Sequence, residues 1–173
     1  KEFFADAVFL GDSITEAISF YGFVDRSRII ADKGLTVSKA MDRVEDVATL
    51  KPSKVFILFG MNDILEIEKS EKFIDNYVKL ISKIRTKRPD SQIYVQSILP
   101  VDLKVEREKP LLTNSRIEEF NKALQNMAER EDVKYLNINS AAKAYNGNLL
   151  EPDGIHYIHK FYDIWLSYIR EHI

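Results

Sequence analysis

The most constraining feature of this sequence is an alternation between short apolar runs and longer amphipathic stretches. The clearest apolar runs are Ala7–Leu10 and Val55–Phe59, and each is followed directly by a glycine. Uninterrupted apolar runs of this length are typical of strands that are buried on both faces. Between the runs, apolar residues recur every three or four positions, which is the spacing of an amphipathic helix. Strands that alternate with helices predict a parallel sheet with helices on both faces, an α/β fold.

Interrupting residues set the expected ends of these elements. Pro52, Pro89 and Pro100 each end an element, because proline lacks the N–H that a helix or sheet requires. Residues 101–112 are polar and of mixed charge, so we expect a loop there. The predicted strands are 7–10, 28–31, 55–59, 92–98 and 134–138, and the predicted helices are 37–50, 70–88, 113–131 and 156–173.

Length and composition narrow the class of protein. A chain of 173 residues can build one well-buried core but is short for two domains, so we interpret residues 1–173 as one domain. The sequence has 25 Lys and Arg against 27 Asp and Glu, a net charge of −2, and therefore lacks the basic character of a nucleic-acid-binding protein. It contains no cysteine, which excludes disulfide scaffolds, thiol nucleophiles and cysteine zinc sites.

The sequence gives no sign of a membrane-spanning segment. No apolar run approaches the roughly 18 residues that a spanning helix needs, so we expect no membrane insertion here. The chain starts at Lys1 and not at methionine. We therefore expect an upstream segment to have been removed, which leaves the cellular location open.

Residues capable of chemistry cluster just after the predicted strands. Gly11-Asp12-Ser13 follows the first strand, Gly34 comes after the second, and Asn62 comes after the third. Asp153 and His156 precede the last helix. Ligands of parallel α/β sheets bind beyond the carboxyl ends of the strands. We therefore expect these residues to converge at one edge of the sheet.

The types of these residues fit nucleophilic attack on a carbonyl. The Ser13 hydroxyl needs a base to remove its proton, and His156 has a suitable intrinsic pKa. Asp153 could orient the imidazole and stabilise its charged form. The N–H groups of Ser13 and Gly34 and the amide of Asn62 could donate to a tetrahedral oxyanion. Gly34 is expected to let the backbone approach closely, since it has no Cβ.

These motifs resemble the SGNH, or GDSL, family of esterases and lipases. Gly11-Asp12-Ser13 is similar to the family's first block, Gly60-Met61-Asn62-Asp63 to its third (G-x-N-D), and Asp153-Gly154-Ile155-His156 to its fifth (D-x-x-H). Gly34 matches the second block more loosely, because the family's Asn before this glycine appears as Asp32, two residues earlier. The resemblance implies a flavodoxin-like three-layer α/β/α sandwich with strand order 2-1-3-4-5. It also implies hydrolysis of an ester or thioester through an acyl-serine.

From the residues and the resemblance together, we expect a serine esterase that acts on a small-molecule ester with a short acyl group, such as acetyl. No cofactor and no metal are expected. Met61 and Tyr157 are expected to line the substrate pocket. Two alternatives stay open: an acyltransferase or carbohydrate O-acetyl-modifying enzyme that uses the same triad, and a binding module that keeps the fold without turnover.

The same residues also allow purely structural interpretations. Ser13 could cap a helix that begins near Thr15, because serine is a favoured N-cap. Asp153, His156 and His159 could together ligate a metal, although this leaves Ser13 unexplained.

The acidic neighbours of the main candidates are interpreted as local organisers. Asp12 is expected to organise the loop that carries Ser13. Asp63 is expected to hydrogen-bond within its own turn, which frees Asn62 for another role.

Overall fold

Five parallel strands form the centre of the protein, in the order β2-β1-β3-β4-β5. The structure is a computed structural model that describes residues 1–173. Helices cover both faces of the sheet, so the three-layer fold and the strand order are confirmed. The strands are β1 (Ala7–Gly11), β2 (Ile29–Ala31), β3 (Lys54–Leu58), β4 (Gln92–Gln96) and β5 (Lys134–Leu136), each within two residues of its predicted ends.

Nine α-helices accompany these strands, and the last two follow β5. No helix has the length and apolar character that crossing a membrane requires. The predicted helices 70–88 and 113–131 are confirmed almost to their ends. The helices are α1 (Ser13–Glu16), α2 (Val37–Ala40), α3 (Val44–Thr49), α4 (Asp63–Glu66), α5 (Ser70–Lys87), α6 (Leu103–Glu108), α7 (Asn114–Arg130), α8 (Ile138–Ala144) and α9 (His159–His172). Single 3₁₀ turns lie at Glu2–Phe4, Ala17–Tyr21, Arg26–Arg28 and Met41–Arg43.

The predicted helix 37–50 is divided in two by the 3₁₀ turn at Met41–Arg43. Within this turn, Lys83 Nζ donates to the Met41 carbonyl oxygen at 2.7 Å. That carbonyl oxygen therefore accepts a hydrogen bond from a different helix, α5. The apolar spacing persists through the turn, so Val44 is fully buried although the backbone changes type.

The segment 101–112, predicted as a loop, contains α6. The Asp102 side chain accepts a hydrogen bond from the Lys104 N–H at 2.9 Å, which caps the helix. An aspartate before a helical stretch is a recognisable start signal. The mixed charge of the segment obscured that signal in the sequence.

The last helix begins at His159 and not at His156, so that prediction was wrong at its amino end. Residues 149–158 instead form a short hairpin, which we call the His156 hairpin. An antiparallel bridge joins Leu150 and Tyr157 and closes it. The backbone of His156 is therefore held by the hairpin and not by a helix.

An aromatic row on one face of the sheet fixes α9 in place. Phe9, Phe56 and Tyr94 are in register across β1, β3 and β4, and their rings stack at 4.9 and 4.8 Å. Trp165 of α9 packs edge-on against Phe9, and its Nε1 donates to Gln96 Oε1 at 2.6 Å. Since α9 follows the His156 hairpin, this packing also fixes the position of the hairpin at the carboxyl edge of the sheet.

Candidate active site

The turn from β1 into α1 is tight and requires a glycine at its start. A Cβ on Gly11 would lie 2.1 Å from Thr15 Oγ1 and 2.8 Å from the Leu58 carbonyl oxygen, which no real side chain tolerates. The turn therefore brings the start of α1 directly against the end of β1.

Asp12, and not Ser13, caps α1. The Asp12 Oδ1 atom accepts the Ile14 N–H at 3.0 Å, and Ser13 is the first helical residue. The interpretation of Ser13 as a helix cap is therefore wrong. The Ser13 hydroxyl points towards a different partner.

That partner is His156, which lies 143 residues further along the chain. Ser13 Oγ lies 3.0 Å from His156 Nε2, and His156 Nδ1 lies 2.5 Å from Asp153 Oδ2. The other oxygen of Asp153 accepts the N–H groups of Ile155 and His156, each at 2.9 Å. The three predicted side chains thus form one continuous hydrogen-bonded path.

Asp153 is held in its charged form. Its partial burial acts to raise its pKa, but hydrogen bonds from the His156 ring and from two backbone N–H groups outweigh this and lower the pKa to about 2. The side chains of His156 and Asp153 are 42% and 49% exposed. This half of the site is therefore open to solvent.

Gly34 lies in a four-residue turn, which we call the Gly34 turn (residues 32–35). The Leu35 N–H donates to the Asp32 carbonyl oxygen at 3.1 Å and closes it. Gly34 has φ +78°, yet nothing lies within 4 Å of where its Cβ would be. Glycine is favoured here by this backbone conformation, and the close approach of a ligand to its backbone stays a prediction.

Two backbone donors near the nucleophile have no partner within the protein. Neither the Ser13 N–H nor the Gly34 N–H makes a hydrogen bond. Both N–H groups therefore remain available as hydrogen-bond donors.

Asn62 lies between the nucleophile and the Gly34 turn. Its Nδ2 donates to the Leu35 carbonyl oxygen at 3.3 Å and to Asp12 Oδ2 at 3.4 Å. Both bonds are long, so they hold the amide weakly. An amide held weakly in this way can turn one N–H towards a substrate.

Asp63 makes its side-chain hydrogen bond outside its own turn, contrary to the sequence-based interpretation. Its Oδ1 accepts the Val37 N–H at 2.9 Å, which belongs to the first residue of α2. The sequence held no signal for this contact, because 26 residues separate the two groups.

Two buried carboxyl groups lie beneath the nucleophile. Asp12 and Asp63 are 2% and 1% exposed. Burial raises the pKa of Asp12 to about 7, against the opposing effect of the Ile14 N–H, and the nearby charge of Asp63 adds to the rise. Burial likewise raises the pKa of Asp63 to about 6.

The two residues expected to line a substrate pocket lie in different places. Met61 borders a cavity of about 10 Å³ whose lining includes the two chain neighbours of Ser13; the lining residues are Asp12, Ile14, Leu58, Phe59, Met61, Ile98 and Leu99. Tyr157 borders a separate cavity of about 150 Å³ behind the His156 hairpin. Its hydroxyl donates to the Pro100 carbonyl oxygen at 2.6 Å, which anchors the hairpin to the end of β4.

His159 does not join its neighbours in a metal-ligating group. Its ring packs against Tyr21 at 4.7 Å and Phe23 at 5.2 Å. No cluster of three metal-ligating side chains forms around Asp153 and His156.

Known proteins resemble this chain in sequence and in fold. An N-acylneuraminate cytidylyltransferase of Streptococcus agalactiae serotype III (strain NEM316) is 25% identical over 166 residues, 94% of this chain, and the chain spans 37% of its length. A GDSL-like lipase from Bacteroides thetaiotaomicron VPI-5482 superposes with a TM-score of 0.77 at 22% identity, covering 99% of this chain and 88% of that one. A carbohydrate esterase family 3 structure from Talaromyces cellulolyticus gives 0.75 at 18% identity, covering 94% and 93%.

The profile of the GDSL-like lipase/acylhydrolase family matches residues 9–164. The match runs from β1 into α9 and includes Ser13, Asn62 and the His156 hairpin. It agrees with the resemblance that the sequence motifs carry. The chain therefore belongs to the GDSL-like lipase/acylhydrolase family.

Proposed function

We propose that this protein is a serine esterase that removes a short acyl group, such as acetyl, from an alcohol. The observation that carries the proposal is the hydrogen-bonded path from Ser13 through His156 to Asp153, with distances of 3.0 and 2.5 Å. Membership of an acylhydrolase family supports ester hydrolysis as the reaction.

In the first half of the reaction, Ser13 Oγ attacks the ester carbonyl while its proton moves to His156 Nε2. Asp153 stabilises the imidazolium that results. The Ser13 and Gly34 N–H groups and the Asn62 amide donate to the negative oxygen of the tetrahedral intermediate. When the carbon–oxygen bond to the alcohol breaks, His156 returns the proton to the leaving oxygen.

In the second half, water replaces the alcohol. His156 takes a proton from the water as the water oxygen attacks the acyl-serine. The second tetrahedral intermediate then breaks its bond to Ser13 Oγ, which recovers its proton from His156. The products are the free acid and the unmodified enzyme.

The cavity beside the nucleophile supports a short acyl group. Its volume of about 10 Å³ is close to the space that one water molecule needs, which is also near the size of a methyl group. Ile98 and Leu99 close it, and each is 1% exposed. The methyl group of an acetyl substrate matches this space, whereas a longer acyl chain requires the wall to move.

The open side of the site supports a larger alcohol. His156 protonates the leaving oxygen, and its side chain is 42% exposed, so a bulky group can extend into solvent. The curated relatives are named for N-acylneuraminate, an acylated sugar acid, and one structural neighbour is named a carbohydrate esterase. We therefore propose an O-acetylated sugar as the substrate class.

The primary test is hydrolysis of nitrophenyl esters from acetate to decanoate, by wild type and Ser13→Ala. We expect the acetate to be the best substrate and the variant to lose activity by at least about 10⁴-fold, because the nucleophile is absent. Equal rates for the two proteins on every ester would rule out the proposed function. Release of acetate from an O-acetylated sugar then tests the alcohol side.

The acyl cavity has its own test in Leu99→Ala, with Leu124→Ala as the matched control. Both leucines are buried, but only Leu99 borders the cavity. Each variant should lose roughly 2–5 kcal/mol of unfolding free energy. Only Leu99→Ala should shift the preferred ester towards butyrate or hexanoate. An unchanged preference would mean that the acyl group binds outside this cavity.

Transfer to a sugar hydroxyl is the alternative fate of the acyl-serine. The same assay, repeated with an added sugar, separates the two by product analysis. Acylated sugar at the expense of free acid would identify a transferase, and free acid alone supports the hydrolase.

A further inference from the structure

We propose that Asp63 is a positioning residue of the oxyanion hole, because its buried carboxylate holds the Gly34 turn at the correct distance from Ser13. This inference rests on the proposed function. It assigns to Asp63 a role that neither the sequence motifs nor the hydrogen-bonded path from Ser13 to Asp153 accounts for.

Two neighbouring side chains at the start of α4 hold the carboxyl end of the Gly34 turn. Asn62 Nδ2 donates to the Leu35 carbonyl oxygen at 3.3 Å. Asp63 Oδ1 accepts the Val37 N–H, two residues further on, at 2.9 Å. The Asp63 bond is the shorter of the two and is buried, so we infer that it contributes more to the position of the turn.

The bond also replaces a helix cap that the local sequence does not supply. Val37 is the first residue of α2, and its N–H cannot be satisfied within the helix. Thr36 occupies the cap position but makes no side-chain cap bond, and its hydroxyl lies 3.3 Å from Ser38 Oγ. The start of α2, and with it the carboxyl end of the Gly34 turn, is therefore tied to the first residue of α4 and not to its own preceding residue.

A helix cap alone does not require a buried acid. Asp63 is 1% exposed, and its Oδ2 has no hydrogen-bond partner. A buried polar atom without a partner is destabilising. The fold keeps this unfavourable group beside Asn62, which indicates that its value lies in the position of the Gly34 turn.

This role predicts a specific kinetic effect. An oxyanion donor acts on the tetrahedral intermediate and hardly on the bound ester, so a displaced Gly34 N–H lowers kcat and leaves KM nearly unchanged. Asp63→Ala should reduce kcat by about 100-fold, near the loss of one donor. Asp63→Asn should stay within about fivefold of wild type, since asparagine keeps an oxygen acceptor at the same position.

Val37→Pro tests the same bond from its other end and leaves Asp63 in place. Proline lacks the N–H, and it is well tolerated at the first position of a helix. The preceding Thr36 has φ −109° and ψ 167°, which a residue before proline accepts. We expect the same loss in kcat as for Asp63→Ala, and no further loss in the double variant.

All rates are expressed per active site, titrated with a fluorophosphonate that modifies Ser13, so that unfolded protein does not count. Ser91→Ala serves as the control, because it removes a 2.6 Å bond to the Pro52 carbonyl oxygen at the opposite edge of the sheet. It should leave kcat unchanged.

The outcomes separate the two proposals. An active wild type whose Asp63→Ala and Val37→Pro variants keep wild-type kcat per site overturns the positioning role alone. An Asp63→Asn variant as impaired as Asp63→Ala also overturns it, since the charge and not the bond would then matter. A wild type no faster than Ser13→Ala overturns the proposed function and this inference with it.

Discussion

The two halves of the site hold aspartate side chains in opposite environments. Around Ser13, the carboxyl groups of Asp12 and Asp63 are almost fully buried, and burial raises their pKa values to about 7 and about 6. On the His156 hairpin, Asp153 is 49% exposed and its pKa is lowered to about 2. Burial decides the first case, and hydrogen bonds to the charged form decide the second.

The difference shows that the two halves of the site are organised by different interactions. The buried half fixes backbone and amide donors through carboxylate acceptors that water cannot reach. The exposed half needs a permanent negative charge beside His156, and partial hydration together with two N–H groups maintains it. We therefore expect substitutions in the exposed half to lower activity by removing a charge. Substitutions in the buried half should lower it by displacing hydrogen-bond donors.

Asp153→Asn should give the largest effect, because it removes the charge from the exposed half. We expect kcat to fall by about 10⁴-fold, since the neutral amide neither stabilises the imidazolium nor keeps the imidazole in its productive tautomer. Steady-state kinetics on nitrophenyl acetate measure the change, and thermal unfolding checks that the hairpin persists. A loss of less than tenfold would mean that solvent already stabilises the imidazolium.

Asn62→Ala should come second, with kcat lower by about 100- to 1,000-fold and KM little changed. The amide is held by two long bonds at 3.3 and 3.4 Å, so its loss removes a donor without disrupting the turn. Asn126→Ala on the exposed face of α7 is the control. A rise in KM as large as the fall in kcat would assign Asn62 to substrate binding.

Asp12→Asn should change stability in a manner that depends on pH. Between about pH 4 and pH 7 the folded protein binds the Asp12 proton and the unfolded chain does not, because the pKa rises from 3.8 to about 7 on folding. The free energy of unfolding therefore falls as pH rises through this window, by up to on the order of 4 kcal/mol. Asparagine cannot ionise, so the variant should lose the Asp12 part of this slope and keep the smaller part that comes from Asp63, whose pKa is raised to about 6. It should be more stable than wild type at pH 8.

Urea unfolding at intervals from pH 4 to pH 8 measures this slope, with the exposed Asp90→Asn as control. Asp153 should act in the opposite direction. Its contribution is present above about pH 4 and is lost as pH falls towards 2. A wild-type slope in Asp12→Asn would assign the dependence to another group.

Lys104→Met should have the smallest effect. Its Nζ donates to the Pro152 carbonyl oxygen on the His156 hairpin, but the Asp102 N–H also holds the hairpin through the Gly154 carbonyl oxygen at 2.9 Å. One exposed bond contributes about 1 kcal/mol, so kcat should change by less than about fivefold. A larger loss would show that the exposed half depends on position as strongly as the buried half.

The sheet could be predicted from the sequence because its strands are buried on both faces. Their uninterrupted apolar runs differ clearly from the spaced apolar residues of the helices. Val55–Phe59 differs from the observed β3 by one residue at each end. The short helix α6 and the His156 hairpin were missed, because single side-chain caps and one antiparallel bridge leave little trace in hydrophobic spacing.

By itself, the sequence determined the fold class and, through its family resemblance, the strand order. It also indicated Ser13 and Asn62 after strands and His156 before the last helix as candidate site residues. Only the tertiary structure decided that Asp63 holds the start of α2 and that both Asp12 and Asp63 are buried. The physical reason is that strand and helix patterns are local. Burial and bonds across 26 or 143 residues exist only once the sheet has brought distant turns together.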